Sequence, residues 1–203
     1  MKTHTNTIKA MAILCGSLFG TLAAEARELT GIRSIVYAGT GCPQGTLSAQ
    51  ITGSRDGLDF VIDGMSAEAG TGISLREGRK NCQVMIDLQV PSGWTYAVKR
   101  AEFKGWYDME RGTQGYHRLA TYFQGQADTG TTQLNFNGTN WGYYDLIKTV
   151  PASELVWSPC GLQRALNINT SVSVRSYGGS YGVITVDPET IPLGNLQLAF
   201  RRC

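Results

Sequence analysis

Two carboxylates near the middle of the chain have the spacing that sugar chemistry needs. Asp108 and Glu110 alternate along a predicted strand, so they share a face, and Trp106 lies on the same face. An acid and a base or nucleophile beside an aromatic ring could cleave a glycosidic bond. A solvated strand face next to Arg111 is the more common meaning of this pattern, so a carbohydrate-active enzyme is our alternative and not our first hypothesis.

Histidine is too scarce to support the familiar hydrolytic sites. His117 is the one histidine after residue 26, and it comes with no G-x-S-x-G nucleophile elbow. The same scarcity argues against zinc. Asp56, Asp59 and Asp63 lack the spacing of a calcium loop. We therefore expect no catalytic residue, no metal and no cofactor, and we favour a protein that is not an enzyme.

A glycine-rich segment at 141–144 is the most suggestive source of binding residues. It reads Trp-Gly-Tyr-Tyr, and we predict a loop there. Exposed loop aromatics with small neighbours suit recognition of a sugar or a protein, whereas core packing is the competing interpretation. The candidate ligand-binding residues, including one strand residue, are Trp106, Trp141, Tyr143 and Tyr144.

The start of the chain predicts export. A short basic segment precedes the apolar run 10–23, and the small-x-small sequence Ala-Glu-Ala follows at 24–26. The apolar run is shorter than the roughly 20 residues that span a bilayer, so we expect no integral membrane anchor. We predict a cleavable signal peptide at 1–26 and a single secreted domain at 27–203, in the periplasm or outside the cell.

Four cysteines remain after that segment: Cys42, Cys82, Cys160 and Cys203. An even number in an exported chain predicts two disulfides, for which three connectivities exist. Cysteine metal sites usually contain pairs with C-x-x-C spacing, and this sequence has none. We favour Cys42 with Cys82 and Cys160 with Cys203, because each bond then closes a loop within its own half of the chain.

The charge of the chain excludes some partners. The formal net charge is +2 over 203 residues, and the sequence has no basic run. A near-neutral domain of this kind lacks the electrostatic footprint for nucleic acid or for an anionic membrane. We expect a monomer with an unknown glycan or protein ligand, in the latter case as an inhibitor. A structural, envelope-associated protein is the further alternative.

Alternating patterns predict strands along the domain. Residues 82–90 and 166–175 each place apolar side chains on one face and mostly polar ones on the other. The turn Pro-Ser-Gly at 91–93 leads into the β-rich run 94–98, which predicts a hairpin with 82–90. Shorter predicted strands are 33–38, 58–62, 181–186 and 196–201.

Helix is expected only for a turn or two, near 66–69 or 152–155. Many short strands without long amphipathic segments between them, together with 25 glycines, are typical of a β protein. The predicted fold class is all-β: an antiparallel β-sandwich, jelly-roll-like or Ig-like, with two disulfides and little helix.

Seven segments in order carry a family resemblance. They are 39–45 (Gly-Thr-Gly-Cys-Pro-Gln-Gly), 79–83 (Arg-Lys-Asn-Cys-Gln), 105–107 (Gly-Trp-Tyr), 157–161 (Trp-Ser-Pro-Cys-Gly), 166–170 (Leu-Asn-Ile-Asn-Thr), 182–187 (Gly-Val-Ile-Thr-Val-Asp) and Cys203. In this set the chain resembles the secreted family known as domain of unknown function 4360. The resemblance implies a small exported β-rich domain, supports the two local disulfides and supplies no catalytic residue.

Overall fold

Twelve strands and one 3-10 turn make up the described part of a computed structural model. The structure describes residues 28–126, 130–162, 164–186 and 194–203. The predicted signal segment, 1–26, lies outside the described residues. All strand pairs within the two sheets are antiparallel. The predicted all-β sandwich is confirmed.

The first sheet has five strands in the order β1-β5-β10-β7-β8. Their bounds are β1 Gly31–Ala38, β5 Arg79–Gln89, β10 Leu166–Ser176, β7 Thr113–Phe123 and β8 Gly130–Asn137. The alternation at 82–90 that predicted a strand belongs to β5, whose apolar residues are buried while their neighbours are more exposed. That pattern fixes the face that β5 turns towards the second sheet.

The second sheet is built around one long strand, β6. Its strands are β2 Leu47–Ile51, β3 Gly57–Ile62, β4 Ser66–Ala69, β6 Trp94–Met109, β9 Asn140–Thr149, β11 Gly182–Val186 and β12 Gly194–Arg202. Residues 100–103 of β6 pair with both β9 and β12, so these two strands lie on opposite edges of β6. β11 follows β12 along the same edge.

A bulge in β6 decides which side chains face inwards. Arg100 pairs with Gln197 and Val98 pairs with Leu198, so Lys99 is an extra residue against β12. An extra residue reverses the alternation that follows it. Phe103 is therefore buried in the core, and residues 102, 104, 106 and 108 face the outside of the sheet.

The core lies between the two sheets. A fully buried aliphatic or aromatic side chain stabilises the fold by about 1.5–3 kcal/mol relative to an exposed one. Both sheets contribute such residues, so neither face would be stable alone. The largest fully buried side chains include Phe60, Phe103, Phe123, Leu58, Leu119 and Ile168.

Two local predictions are wrong. β5 and β6 do not form a hairpin, because they belong to different sheets and the turn at 91–93 connects the sheets. Residues 66–69 are not helical but form β4, where Ala67 pairs with Ile184 and is fully buried. Pairing with a neighbouring strand outweighs a weak local preference. The 3-10 turn at Ala152–Glu154 falls where a helical turn was expected.

The two disulfides join Cys42 to Cys82 and Cys160 to Cys203. Cys42 and Cys82 are buried in the core, whereas Cys160 and Cys203 are exposed. The first bond therefore forms part of the interior, and the second fastens the last residue to the surface segment that precedes β10.

Candidate ligand-binding site

Three of the four candidate aromatic residues meet on the outer face of the second sheet. Trp106 of β6 is directly opposite Tyr143 of β9, and Asp108 is directly opposite Trp141. Side chains at directly opposed positions of antiparallel strands project from the same face. We call Trp106, Trp141 and Tyr143 the aromatic strip.

The aromatic strip is open to solvent. Trp141 is 71% exposed and Tyr143 is 78% exposed, while Trp106 is half-buried between neighbouring strands. Residues two apart on a strand are separated by about 7 Å, and directly opposed residues by about 5 Å. The strip thus lies on an open face of the sheet, and large exposed apolar patches are typical of binding surfaces.

Tyr144 lies on the other side of the sheet, so we remove it from the candidate site. The segment 141–144 is part of strand β9 and not the predicted loop. Successive residues of a strand point to opposite faces, which places Tyr144 inside, where it is 7% exposed. Its ring packs against Phe136 with ring centres 4.9 Å apart.

The phenol of Tyr144 belongs to a buried hydrogen-bond chain that links the two sheets. It donates to the carbonyl oxygen of Thr185 at 3.0 Å. His117 therefore donates from Nδ1 to the phenol oxygen at 3.0 Å, and its Nε2 accepts from Thr170 Oγ1 at 2.7 Å. Burial lowers the pKa of His117 to about 3, so the ring is neutral and its two nitrogens are both satisfied.

Asp108 and Glu110 do not form an open pair of carboxylates. β6 ends at Met109, and Glu110 continues the pairing beyond it by donating its N–H to the Tyr181 carbonyl at 3.0 Å. Its Oε2 accepts a hydrogen bond from the Tyr181 N–H at 2.7 Å. Glu110 therefore holds the chain next to β11, while Asp108 stays beside the aromatic strip.

A second carboxylate reaches this face from a distant part of the sequence. Val183 of β11 pairs with Asp108 on one side and with Glu68 of β4 on the other, so the three side chains form a row across the sheet. We call Asp108 and Glu68 the acidic rim. Sequence reasoning missed Glu68, because only the strand register brings residue 68 near residue 108.

The phenol of Tyr181 interacts electrostatically with both carboxylates of the acidic rim. Burial raises the pKa of its phenol, and the negative charges of Glu68 and Asp108 raise it further. Like charges near a group that ionises to an anion disfavour its ionised form. The phenol, the two carboxylates and the aromatic strip therefore share one region of the outer face.

A large cleft lies elsewhere, at one end of the sandwich. It has a volume of about 820 Å³, and Trp157, Arg201 and Lys148 are among its lining residues. The cations there are engaged: Arg201 lies 4.2 Å from the centre of the Trp157 ring, and Lys148 donates to the Thr131 carbonyl at 2.9 Å. We therefore give the aromatic strip precedence as the candidate site.

Within 28–126, 130–162, 164–186 and 194–203, no three His, Cys, Asp or Glu side chains come together in a group that could hold a metal ion. In the same part of the chain, no helix has the length and apolar character needed to cross a membrane.

The sandwich with its two disulfides defines a class of secreted β domain, and comparison with known proteins identifies the family. Residues 29–203 match the model of the domain of unknown function DUF4360, and the chain belongs to this family. An uncharacterized secreted protein of Arthroderma benhamiae is 34% identical over 157 residues, which are 77% of this chain and 64% of that protein. The chain thus spans less than two thirds of this relative's length. The protein is secreted.

Several solved structures are similar to the chain at low scores. TmCBM61 in complex with β-1,4-galactotriose is 12% identical, with 88% of this chain and 93% of that chain covered and a TM-score of 0.28. A Family 16 Carbohydrate Binding Module-2 is 13% identical, with 76% and 85% covered and a TM-score of 0.26. Scores this low carry no argument about the ligand.

Proposed function

We propose that the protein is a non-enzymatic glycan-binding domain that holds sugar rings against the aromatic strip. The observation that carries the proposal is the meeting of Trp106, Trp141 and Tyr143 on one open sheet face. The C–H faces of a sugar ring are apolar and pack well on aromatic rings. The N–H of Trp and the O–H of Tyr can still reach hydrogen-bond partners. Covering these rings also removes exposed apolar area from water.

The position of the site on an open sheet face supports an extended polymer as the ligand. Small-molecule sites are concave and bury most of their ligand, whereas the aromatic strip lies on the outside of a sheet. Spacings of about 5–7 Å between adjacent strip positions allow neighbouring sugars of one chain to contact different rings. A linear polysaccharide therefore fits the strip better than a single sugar.

A binding test on the strip decides the proposal. The secreted protein is incubated with a panel of insoluble polysaccharides, and affinity for a soluble oligomer of each one that retains it is measured by titration calorimetry. Trp141→Ala and Tyr143→Ala should each weaken binding by about tenfold, because removing a central aromatic anchor costs more than about 1 kcal/mol.

Matched controls come from exposed apolar residues outside the strip. Tyr177 is 58% exposed and Leu75 is 98% exposed, so Tyr177→Ala and Leu75→Ala remove comparable surface elsewhere and should leave affinity unchanged. Circular dichroism of every variant checks that the fold persists, since exposed substitutions rarely change stability by more than about 0.5 kcal/mol. The proposal fails if no polysaccharide binds, or if the strip variants bind as well as the wild type.

A further inference from the structure

The acidic rim lies at the edge of the aromatic strip. Asp108 is directly opposite Trp141, and Glu68 follows in the same row beyond Val183. In the part of the chain that the structure describes, neither carboxylate forms an ion pair. Their negative charge is therefore available to a ligand that lies on the strip.

The basic residues of β6 that share this face are occupied further along the strand. Arg100 Nη2 lies 2.6 Å from Glu102 Oε2, and Lys104 Nζ lies 3.9 Å from Glu102 Oε1. These contacts direct both cations towards Glu102 and away from Asp108. The raised pKa of Tyr181 agrees with this distribution, because burial and both rim carboxylates disfavour a negative charge beside the strip.

We infer that the acidic rim makes the aromatic strip selective for basic glycans, that is, polymers of amino sugars. The inference rests on the proposed function and adds the class of ligand to it. A protonated amine on a sugar ring can donate a charge-assisted hydrogen bond to a rim carboxylate. The faces of nearby aromatic rings also attract a cation.

The same arrangement discriminates against acidic sugars. A uronate held on the strip would place its carboxylate near Asp108 and Glu68, and like charges brought together at an interface oppose binding. A neutral N-acetylated sugar keeps the ring contacts and gains no ion pair. The expected order of affinity is therefore amino sugar, then N-acetylated sugar, then uronate.

Three oligomers of equal length test this order: glucosamine, N-acetylglucosamine and galacturonate. With the secreted wild-type protein, the glucosamine oligomer should bind about threefold to fivefold more tightly than its N-acetylated counterpart, the range expected for an exposed ion pair. The galacturonate oligomer should bind most weakly. Added salt should reduce the preference, because it screens exposed charges.

Variants that remove the charges of the acidic rim test whether the rim causes the preference. In the double variant Asp108→Asn, Glu68→Gln, the glucosamine and N-acetylglucosamine oligomers should bind equally. The matched double variant Asp63→Asn, Glu154→Gln changes the net charge by the same amount at two exposed positions outside the row, and it should keep the preference. Exposed positions of this kind rarely affect folding.

The outcomes separate the two proposals. Equal binding of the amino and N-acetylated oligomers by the wild type overturns the selectivity, and so does a preference that survives in the rim double variant. In either case, loss of N-acetylglucosamine binding in Trp141→Ala would still support a glycan site on the strip. If Trp141→Ala changes no affinity for any oligomer, the proposed function fails and the selectivity fails with it.

Discussion

Tyr143 and Tyr144 are neighbours in the chain with opposite surroundings. Tyr143 is 78% exposed, and Tyr144 is 7% exposed and hydrogen-bonded within the core. The difference follows from the two-residue period of a strand, because β9 turns residues 141 and 143 outwards and residue 144 inwards. A single-residue shift of register would exchange their roles and remove the aromatic strip.

Gly105 provides the space that Tyr144 occupies. The two residues are directly opposed, and a Cβ at position 105 would collide with the Tyr144 ring and with the Thr185 carbonyl oxygen. We expect Gly105→Ala to destabilise the protein by about 1–3 kcal/mol, as overpacking does. Urea unfolding measures the change.

The matched control for that experiment is Gly53→Ala. A Cβ at Gly53 would contact nothing within 4 Å, so this substitution should change the free energy of unfolding by less than about 0.5 kcal/mol. Equal stability of Gly105→Ala and wild type would show that the Tyr144 ring does not lie over residue 105.

His117 should make the protein less stable in mild acid. Its pKa is lowered to about 3 in the folded state by burial, while the unfolded chain binds the proton near the ordinary value of about 6.5. The unfolded state therefore gains a proton first as the pH falls below about 6.5. The wild type should lose about 2 kcal/mol of stability between pH 8 and pH 5 through this residue.

Two measurements check the role of His117. Urea unfolding at pH 8 and pH 5 gives the loss, and His117→Gln, which cannot titrate, should lose correspondingly less over the same interval. Proton NMR of the His117 ring should show no titration above pH 5. A ring that titrates near its ordinary pKa would contradict the buried hydrogen-bond chain.

The segment 157–160 is held against β6 and the end of β12. Trp157 pairs with Ala97 of β6 as an isolated bridge, and the Ser158 hydroxyl accepts a hydrogen bond from the Tyr96 N–H at 3.1 Å. The Cys160–Cys203 disulfide then fastens the segment to the end of β12. Three kinds of contact therefore hold a stretch that belongs to neither sheet.

The two disulfides should differ in their resistance to reduction. Thiol–disulfide exchange needs access of the attacking thiolate to a sulfur, and Cys160 and Cys203 are exposed while Cys42 and Cys82 are buried. Under native conditions dithiothreitol should reduce Cys160–Cys203 first. Alkylation followed by mass spectrometry of the peptides measures the order, and simultaneous labelling of all four cysteines before unfolding would refute it.

Some strands were predictable from the sequence, whereas the sheet to which a strand belongs could be assigned only from the strand pairing. Residues 82–90 alternate clearly, because β5 has one buried face. Residues 166–175 alternate in polarity as well, but the polar Asn167, Ser171 and Ser173 of β10 are also buried. The hairpin at 91–93 was predicted wrongly, since turn residues define a change of direction and not the sheet to which the next strand belongs. The same holds for the candidate site. Its exposed aromatic residues were suggested by their glycine-rich setting, whereas the position of Glu68 near Asp108 depends on the pairing of both strands with β11.

A residue close to the predicted cleavage site already belongs to the core. Leu29 is fully buried, its N–H donates to the Arg55 carbonyl at 2.7 Å, and its carbonyl accepts from Arg55 Nη2 at 2.6 Å. We propose that residues 1–26 are removed on export. Intact mass and N-terminal sequencing of the secreted protein should give a start at residue 27. A start beyond Leu29 would contradict the proposal, because a core residue would be lost.

The strand order also has a kinetic consequence. β3 pairs with β12, so Leu58 lies opposite Leu196. β5 pairs with β10, although the two strands are far apart in the sequence. Domains dominated by such distant pairings fold slowly, because the entropy of closing long loops must be lost before the contacts form. β2 and β3 are joined to β6 through β12, so these two strands have to wait for the last described strand before they become part of the sheet.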